Sequence, residues 1–161
     1  MVDLDRIDLK ILTILQNDNQ ISNAELADTV GVSAPTCLRR VRRLREEGVI
    51  TGDVCIVEPA KIGSNLMIIV EVELSEEDTV SMKEFERKAV AHKLVKQCYL
   101  VTGETDYVLF VSTLDMGEYE SFASEMFFSN KLVKKFKTLM VMTRLKNDTA
   151  FDVTRYNPRS Q

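Results

Sequence analysis

A single histidine, His92, serves this whole chain, and that scarcity removes most enzyme designs at once. A Ser-His-Asp or Cys-His site would have to be built on that one residue, and a zinc site with two histidine ligands cannot be assembled. His92 stands beside Lys93 at the expected end of a helix, where the dipole favours a cation, so it reads as a surface or capping residue. Cysteine is sparse too: Cys37, Cys55 and Cys98 are an odd number, widely spaced, with no CxxC pair. Three free thiols suit a reducing cytoplasm. No apolar run approaches the roughly 18–20 residues that cross a bilayer, and the charged start MVDLDRIDLK has no apolar core of a secretion signal. A cytoplasmic protein with no membrane partner is expected. GxGxxG, Walker A and nucleophile-elbow patterns are missing as well. The sequence therefore nominates no catalytic residue, no metal site and no cofactor.

Positive charge is the minority sign, with 21 Lys+Arg against 25 Asp+Glu and a formal net charge of −4. Yet in VSAPTCLRRVRRLREEGVI, the segment from Ser33 to Arg45 holds Arg39, Arg40, Arg42, Arg43 and Arg45 and no acid. A length of 161 residues and 45% hydrophobic content allow one ordinary domain or two small ones with a buried core.

The first fifty residues read as three helices. Leu4, Ile7, Ile11, Leu12, Ile14 and Leu15 share one helical face, with Asp3 or Asp5 near its start. Asn17-Asp18-Asn19 ends that helix. Ser22 and Glu25 form a capping box for a short helix with Ala24, Leu26, Ala27 and Val30 apolar, and Gly31 stops it. Ser33 supplies a further N-cap, with Pro35 in the first turn, for a helix reaching about Glu47 and closed by Gly48. Two helices joined by a short glycine-containing turn make the helix-turn-helix pattern. On the last helix Ala34, Cys37, Leu38, Val41 and Leu44 fall in one inward stripe, Thr36, Arg39 and Arg43 lie opposite, Arg40 and Arg42 flank them, and Arg45 lies nearer the buried side, where it is expected to snorkel or pair with a neighbouring acid. Such a helix suits the major groove, its N-terminal residues Ser33, Ala34, Pro35 and Thr36 at base edges and Arg39, Arg40, Arg42 and Arg43 at phosphates or guanines. The alternative is a solvated helix face, but Glu46 and Glu47 stand only at its end, leaving most of these arginines without a local partner.

Residues 51–65 read as a connector containing one strand, Val54-Cys55-Ile56-Val57, which could pair with its twin in a dimer. Cys55 is then a small apolar strand residue. Residues 66–146 follow the order βαββαβ. The strands are Leu66–Leu74, Leu94–Val101, Tyr107–Thr113 and Phe136–Lys146; the helices are residues 79–92, with Val80, Met82 or Lys83, Phe85, Ala89 and Val90 inward, and Met116–Phe128. This is the ferredoxin-like split unit, an antiparallel sheet with two helices on one face. The fold class is thus α+β: a helix-turn-helix domain (1–50) and a ferredoxin-like αβ sandwich. The other sheet face is apolar enough to need covering, and self-association covers it economically. The tail, 147–161, lies outside every motif. The turn Thr102-Gly103-Glu104-Thr105-Asp106 either builds a hairpin or offers a ligand free backbone N–H groups and the Asp106 carboxylate.

Taken together, SNAELADTVGVSAPTCLRRVRRLREEGVI and, some fifty residues later, LVTGETDYVLFV resemble the Lrp/AsnC (feast/famine) regulators. The likeness spans Leu4 to about Lys146, and Gly103-Glu104-Thr105-Asp106-Tyr107 matches that family's GxxDY-type turn. The resemblance implies a DNA-binding unit joined to an αβ-sandwich sensor that dimerises through its sheet, often assembles into octamers, and responds to amino acids or related metabolites near that turn. Carried over, the effector lies near Tyr99, Leu100, Val101, Thr102, Gly103, Glu104, Thr105, Asp106 and Tyr107, with Gly103 and Asp106 foremost. Met126, Phe127, Thr138 and Met140 join Leu100 and Thr102 as residues lining the rest of the pocket. The expected function is sequence-specific transcriptional regulation, with double-stranded DNA, a second copy and an amino-acid effector as partners. An amino-acid-metabolism enzyme or sensor with a ferredoxin-like domain, or an adaptor docking an acidic protein, are the alternatives. The enzyme is disfavoured because no nucleophile–base pair or metal cluster can be assembled.

Overall fold

The computed structural model describes residues 2–64, 66–75 and 79–155. The chain divides into two compact units, Met1–Ile56 together with Lys146–Gln161, and Val57–Leu145. Among the described residues no helix is long and apolar enough to cross a membrane.

The first unit holds α1 (Arg6–Leu15), α2 (Asn23–Val30) and α3 (Ala34–Glu46). Each start is chemically marked. The Asp5 side chain accepts from the N–H groups of Ile7 and Asp8, and Asp8 returns the bond to Asp5 N–H. Ser22 and Glu25 do the same for α2, the reciprocal cap expected from the sequence. Gly31 ends α2 at φ 78°, a left-handed conformation costly for a residue with a side chain. Ser33 stands at the α3 N-cap, but its hydroxyl donates to Thr36 Oγ1 at 2.9 Å rather than capping the backbone. The core comprises Leu4, Ile11, Leu12, Leu26, Ala27, Val30, Cys37, Val41 and Leu44. Leu38, placed inward by the sequence pattern, is instead exposed. Cys37, Val41 and Leu44 already define a narrow stripe, and Leu38 sits about 100° round the helix from Cys37.

The tail has a place in this unit. Gln16 Nε2 donates to the Phe151 carbonyl at 3.1 Å, Phe151 N–H donates to Gln16 Oε1 at 2.7 Å, and Val153 packs partly against the helical core.

The second unit is a four-stranded antiparallel sheet, order β2-β3-β1-β4, from β1 (Leu66–Leu74), β2 (Val95–Leu100), β3 (Tyr107–Thr113) and β4 (Val133–Met140), with α4 (Thr79–Ala91) and α5 (Met116–Ala123). Ile68, Val70, Val72 and Leu74 alternate into the core with Tyr107, Leu109 and Val111, beneath Phe85 and Ala89 of α4 and Tyr119, Phe122 and Ala123 of α5. The intervening residues Ile69, Val108, Phe110 and Leu139 point away from that core and are only half-buried. This is the βαββαβ arrangement.

Four local expectations change. Val54–Val57 forms no strand: Val54 and Ile56 are 82% and 73% exposed, and Cys55 is exposed rather than buried. A strand needs a hydrogen-bonding neighbour, and within one chain this run finds none. The last strand begins at Val133 and ends at Met140, because Val133–Lys135 pair with Glu73 and Leu74 beyond a bulge, while past Met140 the Val141 N–H still donates to the Met67 carbonyl at 2.9 Å but the strand does not continue to Lys146. In α4, Phe85 and Ala89 with the half-buried Met82 fix the inward stripe, so Val80 and Val90 are exposed. The helix from Met116 turns into a π-helical segment, Ser124–Phe128, rather than continuing as α-helix.

Candidate nucleic-acid interface and effector turn

The α3 arginines divide into two sets. Arg39 and Arg42 are exposed and, among the described residues, form no ion pair. They lie on the face of α3 opposite Cys37, Val41 and Leu44, beside exposed Pro35. Ser33 is exposed next to them, Thr36 is half-buried, and the Ala34 carbonyl accepts from Asn23 Nδ2 at 3.0 Å, which ties the start of α3 to α2.

Arg40 and Arg43, by contrast, are held by acids. Arg40 Nη1 donates to Asp5 Oδ2 at 2.7 Å and to Asp8 Oδ1 at 2.9 Å; Arg43 Nη2 donates to Asp8 Oδ2 at 2.5 Å. Asp8 is 1% exposed. The Nε atoms of both arginines are buried and make no hydrogen bond. The expectation that most of these arginines lack partners is therefore corrected for Arg40 and Arg43, whereas Arg45 pairs with a neighbouring acid as expected, Asp53 at 2.7 Å. The Asp5 and Asp8 partners were missed because they come from α1 and not from within the helix, where Glu47 alone approaches Arg43, at 3.8 Å. One signal was present: Asp8 lies four residues after Leu4 and three before Ile11, on the apolar stripe of α1, where an acid needs a cation.

The charge states follow. Partial burial pushes Asp5 up, but the Asp8 N–H, the Arg40 guanidinium and the Ile7 N–H together outweigh it and hold the carboxyl below its ordinary value. The hydrogen bonds to Asp5 and then Asp8 raise Arg40 further still. Burial pushes the Cys37 thiol up, so it packs as a neutral apolar group. A shallow cleft of about 250 Å³ opens among Asp5, Arg39, Arg40 and Arg43.

In the second unit the β2–β3 turn docks on the end of β1. Asp106 N–H donates to the Val72 carbonyl at 2.9 Å, Thr105 Oγ1 donates to the same carbonyl at 2.8 Å, and Asp106 Oδ2 accepts from Leu74 N–H at 2.7 Å. Val101 N–H closes the turn on the Asp106 carbonyl at 2.9 Å. Thus Asp106 does not simply bond its own turn; it satisfies the backbone at the end of β1. Gly103 has φ 131° and its site leaves open space where a Cβ would stand. Thr102, Gly103 and Glu104 are exposed, as are Tyr99 and Leu100 on the edge strand, while Val101 is half-buried.

Other pocket expectations fall elsewhere. Tyr107 is buried against Phe85, ring centroids 4.9 Å apart, and its hydroxyl donates to Glu86 at 3.0 Å; burial and the Glu86 carboxylate drive its acidity far down. Met126 and Phe127 are core residues, on the same inward face as Tyr119, Phe122 and Ala123 three to eight residues before them. Thr138 Oγ1 shares a 2.5 Å hydrogen bond with the Tyr119 hydroxyl of α5. Met140 is exposed but pairs with Ile68, about 13 Å of strand away from Val72 and the turn, so within one chain it cannot line the same pocket. Among the described residues no group of His, Cys, Asp and Glu could hold a metal ion.

Comparison with known proteins assigns a family to each half of the chain. Residues 4–51 match the winged helix-turn-helix DNA-binding family, and residues 67–151 match the Lrp/AsnC ligand binding domain. An HTH-type transcriptional regulator of Sinorhizobium fredii is 41% identical over 90% of this chain and 86% of its own. The leucine-responsive regulatory protein of Rhizobium meliloti is 35% identical over 91% of this chain and 94% of its own. Among solved structures, a transcriptional regulator of Neisseria meningitidis in complex with L-Met superposes with a TM-score of 0.87 at 26% identity, covering 94% of this chain and 97% of that one. An AsnC family regulator of Agrobacterium tumefaciens gives 0.87 at 28% identity, covering 94% and 98%. Two matched domains in this order, carried on one βαββαβ-plus-helix-turn-helix chain, settle the relationship: the protein belongs to the Lrp/AsnC family of transcriptional regulators.

Proposed function

We propose that α3 enters the major groove with Ser33, Ala34, Pro35 and Thr36 at base edges and with Arg39 and Arg42 as its free cations, and that an amino acid bound at the β2–β3 turn modulates DNA occupancy or assembly. The observation that carries the DNA half is the one-sided face of α3, where two unpaired guanidinium groups flank an exposed N-terminal turn. For the effector half, Gly103 leaves room for a ligand against backbone, and Asp106 keeps Oδ1 clear of the Leu74 bond and in position to accept from an α-ammonium. The L-Met bound by the Neisseria relative supports an amino acid as the ligand class. Tyr99 to Thr105 and Asp106 form the chain's contribution; Met126, Phe127 and the Tyr107 ring support it from beneath.

Two copies joined through the half-buried face carrying Ile69, Val108, Phe110 and Leu139 form the working dimer, with further assembly to an octamer. The effector acts only to the extent that it binds two assembly or DNA-bound states unequally. The domain layout is 1–50 for DNA, 51–65 as connector, 66–146 for effector and self-association, and 147–161 as a tail, of which Phe151 and Val153 meet the first unit. Two measurements test it. Fluorescence anisotropy with the protein's own upstream DNA should show binding that weakens with salt. A thermal-shift screen of the twenty amino acids should yield at least one stabilising ligand, by mass action on the native state, with the shift abolished in Asp106→Ala. Salt-insensitive or absent DNA binding removes the first half; identical responses of wild type and Asp106→Ala remove the second.

A further inference from the structure

Capping α1 accounts for only part of Asp8: its Oδ2 accepts from the Asp5 N–H at 3.1 Å, yet both its oxygens also hold arginines of α3. It is a buried acid on an otherwise apolar stripe, and a buried ion pair is commonly neutral or unfavourable relative to well-packed apolar groups. What it does is geometric. Both carboxylate oxygens are used, Oδ1 by Arg40 and Oδ2 by Arg43, and Asp5 takes a second bond from Arg40. The Nε donors of both arginines are also buried. On the reading that α3 meets DNA, we propose that Asp8 is a specificity-determining residue: it withholds Arg40 and Arg43 from the phosphates, so that the helix approaches the duplex with Arg39 and Arg42 alone.

The consequence is felt most on sequence-independent binding. Each phosphate contact contributes about 0.9 to the slope of log affinity against log salt, whatever the base sequence. Withholding two arginines therefore flattens the binding shared by every DNA site while leaving base-edge contacts at the α3 start untouched. An acid does this where an apolar residue could not, because an apolar neighbour would leave both guanidinium groups to find phosphate.

The experiment uses the full chain and a mixed-sequence duplex, with affinity measured by anisotropy between about 50 and about 200 mM salt. Asp8→Asn keeps the side-chain volume and removes the charge that Arg40 and Arg43 share, leaving Arg40 only Asp5 and Arg43 only the longer Glu47 contact at 3.8 Å. For a dimer, the ratio of low-salt to high-salt affinity should rise about 12-fold for one released arginine per copy and about 150-fold for both. Asp5→Asn, which retains a capping side chain and frees one Arg40 bond, should give a smaller rise in the same direction, and it carries the test if Asp8→Asn does not fold. Asp3→Asn removes an exposed acid from the same segment without freeing an arginine and should change the ratio far less. Combining Asp8→Asn with Arg40→Gln and Arg43→Gln should remove the added steepness. An unchanged or lowered ratio in Asp8→Asn, meaning that Asp8 aims the arginines at DNA, would overturn the proposal, as would an equal rise in Asp3→Asn, meaning bulk charge alone. Wild-type protein that binds no duplex at all would sink the DNA reading itself, a result distinct from either.

Discussion

Replacing Gly103 with alanine isolates a backbone effect from a packing effect. At φ 131° the position lies where L residues rarely go, and holding one in such a region costs on the order of 1–3 kcal/mol. Nothing lies within 4 Å of the added Cβ, so no clash adds to that cost. Against it, alanine restricts the unfolded chain and returns about 0.4–1 kcal/mol. The balance runs from about zero to a loss of about 2.6 kcal/mol and centres near 1.3 kcal/mol, which in a unit of this size lowers Tm by about 5–10 °C. Thermal unfolding followed by circular dichroism measures it. Gly52→Ala is the control, because that glycine has no left-handed φ and also meets nothing within 4 Å; its Tm should hold or rise slightly. A Gly103→Ala protein as stable as Gly52→Ala would refute the strain and with it the claim that the turn is held in one conformation by its bonds to β1.

Further outcomes follow from single contacts. Asp106→Ala leaves the Leu74 N–H without its acceptor and should cost about 1–3 kcal/mol. Asp106→Asn keeps an acceptor oxygen, so hydrogen exchange at the Leu74 amide should stay slow there while the amino-acid response is lost; loss of both together would make Asp106 structural only. Leu44 is fully buried in the helical core, and Leu44→Ala should destabilise that unit by about 2–5 kcal/mol in chemical denaturation; a change under about 1 kcal/mol contradicts the packing described. Asp5 sits below its ordinary value of 3.8 in the folded state, so it contributes stability above that pH and loses it as pH falls further. Acid unfolding of Asp5→Asn should be less steep below about pH 4 than wild type, and superimposable curves would contradict the depressed acidity.

Local chemistry was legible from the sequence; distant chemistry was not. The Ser22–Glu25 box, the Gly31 stop, and strands Leu66–Leu74 and Tyr107–Thr113 are written in residues close together, and periodicity alone placed them. The βαββαβ order follows from those elements. Val54–Val57 has the composition of a strand, but pairing is a property of two segments and the chain supplies one. The start of β4 was missed because Lys134 and Lys135 read as a loop until Glu73 is known to lie across from Lys135. Met126 and Phe127 continue the inward face of Tyr119, Phe122 and Ala123, a periodicity that marks them as core and that their position near the end of the helix obscured. The arginine helix was read correctly as charged and one-sided in its core, yet which arginines are free depends on an acid 32 and 35 residues away.

That last distinction changes how an acidic protein with a cationic helix should behave on DNA. If all five α3 arginines reached phosphates, a dimer would show a salt slope of about 9 from this helix alone, at about 0.9 per contact. Asp8 and Asp5 hold Arg40 and Arg43, and Asp53 holds Arg45, which leaves Arg39 and Arg42 in each copy. The α3 arginines of a dimer then contribute about 3.6. Replacing both Arg39 and Arg42 by alanine should remove that whole contribution, about 1.8 per copy, whereas surface lysines elsewhere add the same background to wild type and variant. A decrease near 3.6 for a measured dimer matches the ion-pair pattern; a decrease near zero would mean that the guanidinium groups facing solvent are not the ones facing DNA.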